Sequence, residues 1–199
     1  MSTQPLALPV DRRAQQGGLV FLASLLVFFL SSIMLYLMYA YWRRDDPQSG
    51  NPLPLSFLAS TLCMLGISVL AHLSIIAVRR EKRVRLMLLL TSSLLGAILF
   101  MGLQLWSLGE IIEQPEYAIS PHKGIVGMVI VLAVLHALHV AGGVIALGLV
   151  TARAGLGFYD HERFWAIQFT ATYWHFLDAI WICMLTSFWM TSGGFRLPL

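Results

Sequence analysis

Two stretches of the sequence place side chains capable of chemistry in otherwise apolar surroundings. The first is YWHFLDAIW, Tyr173 to Trp181, inside an apolar run from about Phe164 to Met190. His175 and Asp178 stand three residues apart there, flanked by Trp174 and Trp181. An ionisable side chain at membrane depth costs roughly 2.5–3.5 kcal/mol on insertion scales, so it faces protein or water rather than lipid. At about 100° per residue, Trp174, Asp178, Trp181 and Leu185 share one helical face, with His175 at its edge. The second stretch is LHALHVAGG, Leu135 to Gly143. His136 and His139 fall on one face, and Gly143 continues that face one turn on. Ala133, Ala137 and Ala141 form a separate row of small residues, which lets helix backbones approach closely.

Three kinds of chemistry come into question. Metal ligation would draw on His136, His139, His175 and Asp178, with His72 as a further candidate. A bundle-core metal site normally repeats Glu-x-x-His over several helices, and none of the apolar runs holds a Glu. A haem pair would need widely spaced histidines on each of two helices, a pattern absent from the sequence. A proton relay through His175 and Asp178 has no evident entry or exit. Hydrolysis would need a nucleophile, and Ser31, Ser32, Thr91, Ser92 and Ser93 read as helical hydroxyls bonded to their own backbone. The residues therefore read as structural polar groups that hydrogen-bond between helices, with no catalytic, cofactor or metal residue assigned. Gln104 and Gln168 belong to the same class. The scattered methionines read as adaptable packing.

The elements that position these residues are long apolar segments. Of 199 residues, 58% are hydrophobic and 12% charged, with a mean hydropathy of +0.75. A soluble domain carries about 25% charged residues, so the composition specifies an integral membrane protein. Five spans are expected, at about 18–42, 53–78, 86–108, 124–150 and 164–190. Each exceeds the roughly 20 residues that cross a hydrocarbon core. The expected fold is an all-α bundle of five transmembrane helices in one membrane domain, residues 1–199. The first run is too long for the apolar core of a signal peptide and reads as a retained span. Tyr36, Tyr39, Tyr41 and Trp42 at its end resemble an interfacial aromatic belt. Arg12, Arg13, Arg79, Arg80, Lys82, Arg83, Arg85, Arg153 and Arg163 lie on one side of this topology, nine of the 13 basic residues. That asymmetry puts the N-terminus in the cytoplasm and the C-terminus outside. It also explains a sequence pI of about 9.1 without a nucleic-acid partner. Arg79, Arg80, Lys82, Arg83 and Arg85 are candidate contacts for anionic lipid head groups. Cys63 and Cys183 read as buried and reduced.

The sequence resembles subunit III of the haem–copper respiratory oxidases, in the five-helix bacterial form. The family's last helix carries Tyr/Phe-Trp-His-Phe-Val/Leu-Asp-Val-Val-Trp, matched by Tyr173, Trp174, His175, Phe176, Leu177, Asp178, Ala179, Ile180 and Trp181. Its penultimate helix carries His-Gly-Leu-His-Val followed by Gly, matched by His136, Ala137, Leu138, His139, Val140 and Gly143. A weaker pattern in span three is matched by Thr91, Leu95, Gly96, Phe100 and Gln104. Three acids of the family pattern are absent, their places taken by Leu25 (after Ser24), by Gln168 and by the neighbourhood of Ser107. The resemblance implies a multi-pass subunit of the bacterial cytoplasmic membrane with no cofactor of its own. It would pack against the catalytic subunit I, which holds haem and copper, and against other oxidase subunits. It would hold phospholipid in a cleft between its first helix and the other four, and support proton uptake. The enzyme would be the complex, a cytochrome c or quinol oxidase coupled to proton translocation. A subunit III-like partner of a nitric oxide reductase-type complex is the nearest alternative. A stand-alone membrane metalloenzyme built on His136, His139, His175 and Asp178 is the alternative of a different class.

Overall fold

Apolar runs of this length must satisfy their backbone hydrogen bonds internally, and in a membrane that means helices. The computed structural model describes residues 12–44, 56–113, 124–159 and 164–192. Among these residues there are five helices: α1 Arg12–Trp42, α2 Ser56–Arg79, α3 Arg83–Ile112, α4 Gly124–Gly155 and α5 Trp165–Ser192. There is no strand among the described residues. Leu53 to Leu55, expected in the second span, lie outside the described residues, as do Arg163, the acidic Glu116 and the C-terminal tail.

By length and composition, α1 to α4 are apolar enough to cross a membrane. At 28 residues, α5 is long enough too, but its Gln, Tyr, Trp, His and Asp lower its hydropathy. Several of these are turned inward: Tyr173, Trp174, Asp178 and Trp181 are all buried.

Helices α2, α3, α4 and α5 close a ring, α2 on α3, α3 on α4, α4 on α5 and α5 on α2, while α1 lies in the groove between α4 and α5. The buried positions on α3 are Leu86, Leu90, Ser93, Ala97, Phe100, Gln104 and Ser107. Those on the C-terminal two-thirds of α1 are Phe29, Ile33, Tyr36 and Ala40. Alternating steps of three and four give the 3.5-residue period of helices packed at shallow angles. Contacts fix the directions. Arg79 at the end of α2 lies over the Phe164 ring at the start of α5 (5.2 Å). Arg83, opening α3, donates from Nη2 to the Gly155 carbonyl that closes α4 (3.0 Å). Gly18 of α1 abuts Phe169 of α5, and Tyr36 is hydrogen-bonded to Thr191. Thus α1, α3 and α5 start at the end where α2 and α4 finish.

That shared end is strongly basic, and two similar caps shape it. In the turn after α2, Glu81 N–H bonds to Val78 O (3.0 Å) and Lys82 N–H to Ala77 O (3.1 Å), with Glu81 at φ 53°. After α4, Gly157 N–H bonds to Ala154 O and Phe158 N–H to Arg153 O, both at 3.1 Å, with Gly157 at φ 82°. Both are Schellman caps, in which one left-handed residue lets two N–H groups return to orphan carbonyls. The Arg83 guanidinium then adds a cation at the negative end of the α4 dipole. At the opposite end, Ser56 donates to Glu110 Oε2 (2.8 Å) and Trp106 Nε1–H to Glu110 Oε1 (3.0 Å).

Candidate functional site

The polar residues of α4 and α5 do not gather at one point. His136 is fully buried and stacks on Trp181, ring centroids 5.3 Å apart and 28° between planes. Phe29 of α1 meets the edges of both His136 (6.0 Å) and His139 (4.9 Å). His139 Nδ1 is hydrogen-bonded to Leu135 O in its own helix (2.7 Å), while its backbone carbonyl accepts from Tyr173 O–H (2.9 Å). The pair sits on one face as its spacing required, and that face meets aromatic rings.

Trp181 is the hub. It is fully buried and touches Phe57 of α2, Phe100 of α3 and His136 of α4. Its Nε1–H donates to Thr61 Oγ1 on α2 (2.8 Å). One side chain thus ties α5 to all three other members of the ring. Trp174 is fully buried as well, and it borders Gly143. A methyl group built on Gly143 would meet Tyr173 Cε1 at 3.1 Å and both Leu177 Cδ1 and Trp174 Cζ2 at 3.4 Å. Glycine at 143 is what lets α4 and α5 approach this closely.

His175 and Asp178 belong to a different seam. Reading His175 and Asp178 with the α4 histidines suggests a clasp between the last two spans. The structure turns them instead toward α2. His175 Nδ1 is hydrogen-bonded to Ser68 Oγ, and its ring lies 5.7 Å from that of His72. The Asp178 carboxyl lies beside the same Ser68. The reason is angular: at 100° per residue, His175 and Asp178 lie some 60° apart on α5, straddling the direction of α2, while Tyr173, Trp174 and Leu177 take the direction of α4. His175 and His72 are exposed on the outside of the bundle, whereas Ser68 and Asp178 are buried. Asp178 Oδ1 has no hydrogen-bond partner among the described residues.

Gln104 is 2% exposed, with neither amide atom hydrogen-bonded among the described residues. Gln168, expected to bond between these helices, instead faces outward on α5, one heptad before His175. Ser31 and Ser32 donate to Val27 O and Phe28 O (both 2.8 Å), and Ser93 to Leu89 O (2.8 Å), as helical hydroxyls do. Both cysteines are free; Cys63 is half-buried and Cys183 exposed, so the expectation of burial fails for Cys183, which lies on the outer face of α5. Arg79, Arg80, Lys82, Arg83 and Arg85 are all exposed. Sequence reasoning passed over Ser68 and Thr61, which accept or share the key hydrogen bonds from α5. The signal available was Ser68 one turn before His72.

The five residues considered for metal binding are divided, His136 and His139 in the α1/α4/α5 interior and His72, His175 and Asp178 at the α2/α5 seam. Among the described residues, no group of three or more His, Cys, Asp or Glu is placed to hold a metal ion.

This fold and interior define a polytopic α-helical membrane protein, a closed four-helix ring with a fifth helix laid in one groove. The sequence profile described as "Cytochrome c oxidase subunit III" matches residues 15–192, through all five helices. The chain therefore belongs to the cytochrome c oxidase subunit III family. It is 30% identical to the "Cytochrome c oxidase subunit 3" of Pongo abelii, over 93% of this chain and 72% of that one. It is 25% identical to the protein of that name from Thermostichus vulcanus, over 94% of both chains. A "Probable quinol oxidase subunit 3" of Staphylococcus haemolyticus is 28% identical, over 67% of this chain and 65% of its own length.

Proposed function

We propose that the chain is the non-catalytic subunit III of a haem–copper terminal oxidase in the bacterial cytoplasmic membrane. The complex would pass electrons to oxygen and translocate protons, with haem and copper in its catalytic subunit I. The observation that carries this reading is the family match running through all five helices, residues 15–192. Its own polar residues serve packing: Trp181, His136 and Gly143 knit the ring together, and His175, Asp178 and Gln104 are polar groups that order the bundle. The subunit stabilises its catalytic partner and supports proton uptake without the three acids absent at Leu25, Ser107 and Gln168.

The basic end, with Arg79, Arg80, Lys82, Arg83, Arg85 and Arg153, faces the cytoplasm under the positive-inside rule. The N-terminus is then cytoplasmic, the C-terminus outside, and the five spans form one membrane domain. Each exposed cation near an anionic leaflet contributes about 1 kcal/mol of attraction, which suits a phospholipid contact. The α1 contacts from Gly18–Phe169 to Tyr36–Thr191 occupy its seam with α5, so lipid held by α1 lies on its other flanks.

Purification of the tagged chain from its native membrane tests the reading. A haem-bearing partner and oxygen consumption driven by reduced cytochrome c or quinol are expected; the donor that works identifies the oxidase type. Nitric oxide consumption without oxygen consumption would instead identify a nitric oxide reductase-type complex. A monodisperse chain with no haem-bearing partner would overturn the proposal.

A further inference from the structure

The outward faces of α1 and α5 differ in chemistry. On α1 the exposed positions include Leu19, Val20, Val27, Leu30, Met34 and Met38, large apolar side chains suited to lipid tails. On α5 the exposed positions include Gln168, Thr172, His175, Ala179, Cys183 and Thr186, polar or small residues interrupted by Ile182 and followed by Trp189 and Met190. Small and weakly polar residues are what transmembrane helices present to one another, because they allow close backbone approach.

A second observation lies among these positions. His175 and His72 put two imidazoles side by side on the outside of the bundle. His72 is seven residues from Arg79 and His175 ten from Trp165, so both sit at least about 10 Å inside the basic end at 1.5 Å per residue. Hydrocarbon cannot solvate such groups. Behind them, the buried Asp178 keeps one carboxyl oxygen without a partner among the described residues. Thr172 and Thr186 bond to Gln168 O (2.9 Å) and Ile182 O (2.7 Å) in their own helix, so they present little polarity outward. On the outward face of α5 the polarity left facing the membrane is that of the paired imidazoles, with Asp178 behind them.

We propose that the α2/α5 outer seam docks a transmembrane helix of another subunit of the complex, which brings hydrogen-bonding side chains to His72 and His175 at membrane depth. The occupant is a protein helix: Thr172 and Ala179, one turn either side of His175, admit a backbone, Val69 and Ile76 beside His72 offer apolar contact, and the paired imidazoles require polar partners that lipid tails lack. This rests on the reading of the chain as a subunit of an oxidase complex, and it assigns the face by which the chain docks.

A photo-crosslinking amino acid placed at Ala179, and separately at Met34 on α1, tests the assignment in the assembled complex. Ala179 should yield an adduct with another subunit that is identified by mass spectrometry and co-purifies with haem, while Met34 yields lipid adducts. Ala179→Trp, which fills the seam from the outside of the folded bundle, should lower recovery of the haem-bearing complex at least roughly ten-fold, the effect of about 1.4 kcal/mol. Val27→Trp on α1 should leave recovery unchanged. Protein adducts from Met34 but not from Ala179, an adduct of two copies of this chain, or lipid adducts from both sites would each overturn the seam assignment while leaving the subunit reading intact. Failure of the unmodified chain to co-purify with haem would strike the subunit reading itself.

Discussion

A tryptophan with one hydrogen-bond donor can organise three helix contacts because its ring is large and its donor fixed. Trp181 shows this, with Nε1–H on Thr61 and its ring against His136, Phe57 and Phe100. Thr61 already donates to Phe57 O (2.7 Å), so losing the indole strips it only of the hydrogen bond it accepts. Trp181→Phe should therefore cost about 1 kcal/mol, whereas Trp181→Ala should cost about 3–5 kcal/mol through the cavity it leaves. Thermal unfolding of the detergent-solubilised protein measures both. The adjacent glycines provide a matched pair. Gly143→Ala drives a methyl group to 3.1 Å from Tyr173 and should cost about 1–3 kcal/mol by overpacking. Gly142→Ala meets nothing nearer than Tyr173 Oη at 4.0 Å and should stabilise by up to about 1 kcal/mol through helix propensity. Equal effects at the two positions would refute the close-approach role of Gly143. Much of this was legible in advance: His136, His139 and Gly143 were assigned to one face by spacing alone. The partners were not, since no local pattern tells His175 to face Ser68 rather than His139.

At the scale of elements, helix ends matter as much as helix faces. The α4 end is closed by Gly157 in the left-handed region, with Arg83 beside it; a Cβ there would lie 3.1 Å from Arg83 Nη2. Gly157→Ala should lower stability by about 1–2 kcal/mol from the left-handed conformation alone. Thermal unfolding tests this, and Gly155→Ala, whose Cβ meets only Met87 Cε at 3.6 Å, is the control. The five helices and their order followed from hydropathy, because a hydrocarbon core admits little else. The fifth is instructive. Its polar residues depress its hydropathy yet include buried members of the bundle, Asp178 and Trp181 among them, so the property that weakens its signal as a span is the one that makes it central.

For the whole molecule, the expected consequence of disturbing the α2/α5 seam is failure of assembly rather than of chemistry. Asp178→Asn exchanges an acceptor oxygen of a buried group for a donor nitrogen and should weaken the seam by about 1–3 kcal/mol. The expected outcome is less haem-bearing complex per unit of expressed chain, with turnover per assembled complex close to that of the native protein. Haem quantification together with oxygen uptake separates the two. Full assembly with reduced turnover would favour a proton-transfer role for Asp178. The same seam explains why several polar residues of α5 face outward: a subunit's surface in the membrane is divided between lipid and protein.

Composition, run length and the two polar motifs by themselves determined a membrane chain, five helices and the family to which their residue order belongs. These are properties of local chemistry: apolar length decides spanning, and side-chain spacing decides which residues share a face. Only the tertiary structure decided what each face meets. It placed His136 and His139 among Phe29 and Trp181, gave His175 to Ser68 and His72, and left His72, His175, Ala179 and Cys183 on the outside. That choice depends on how α1, α2 and α4 are arranged around α5, and their arrangement is set by packing among residues distant in sequence, which helical periodicity alone does not encode.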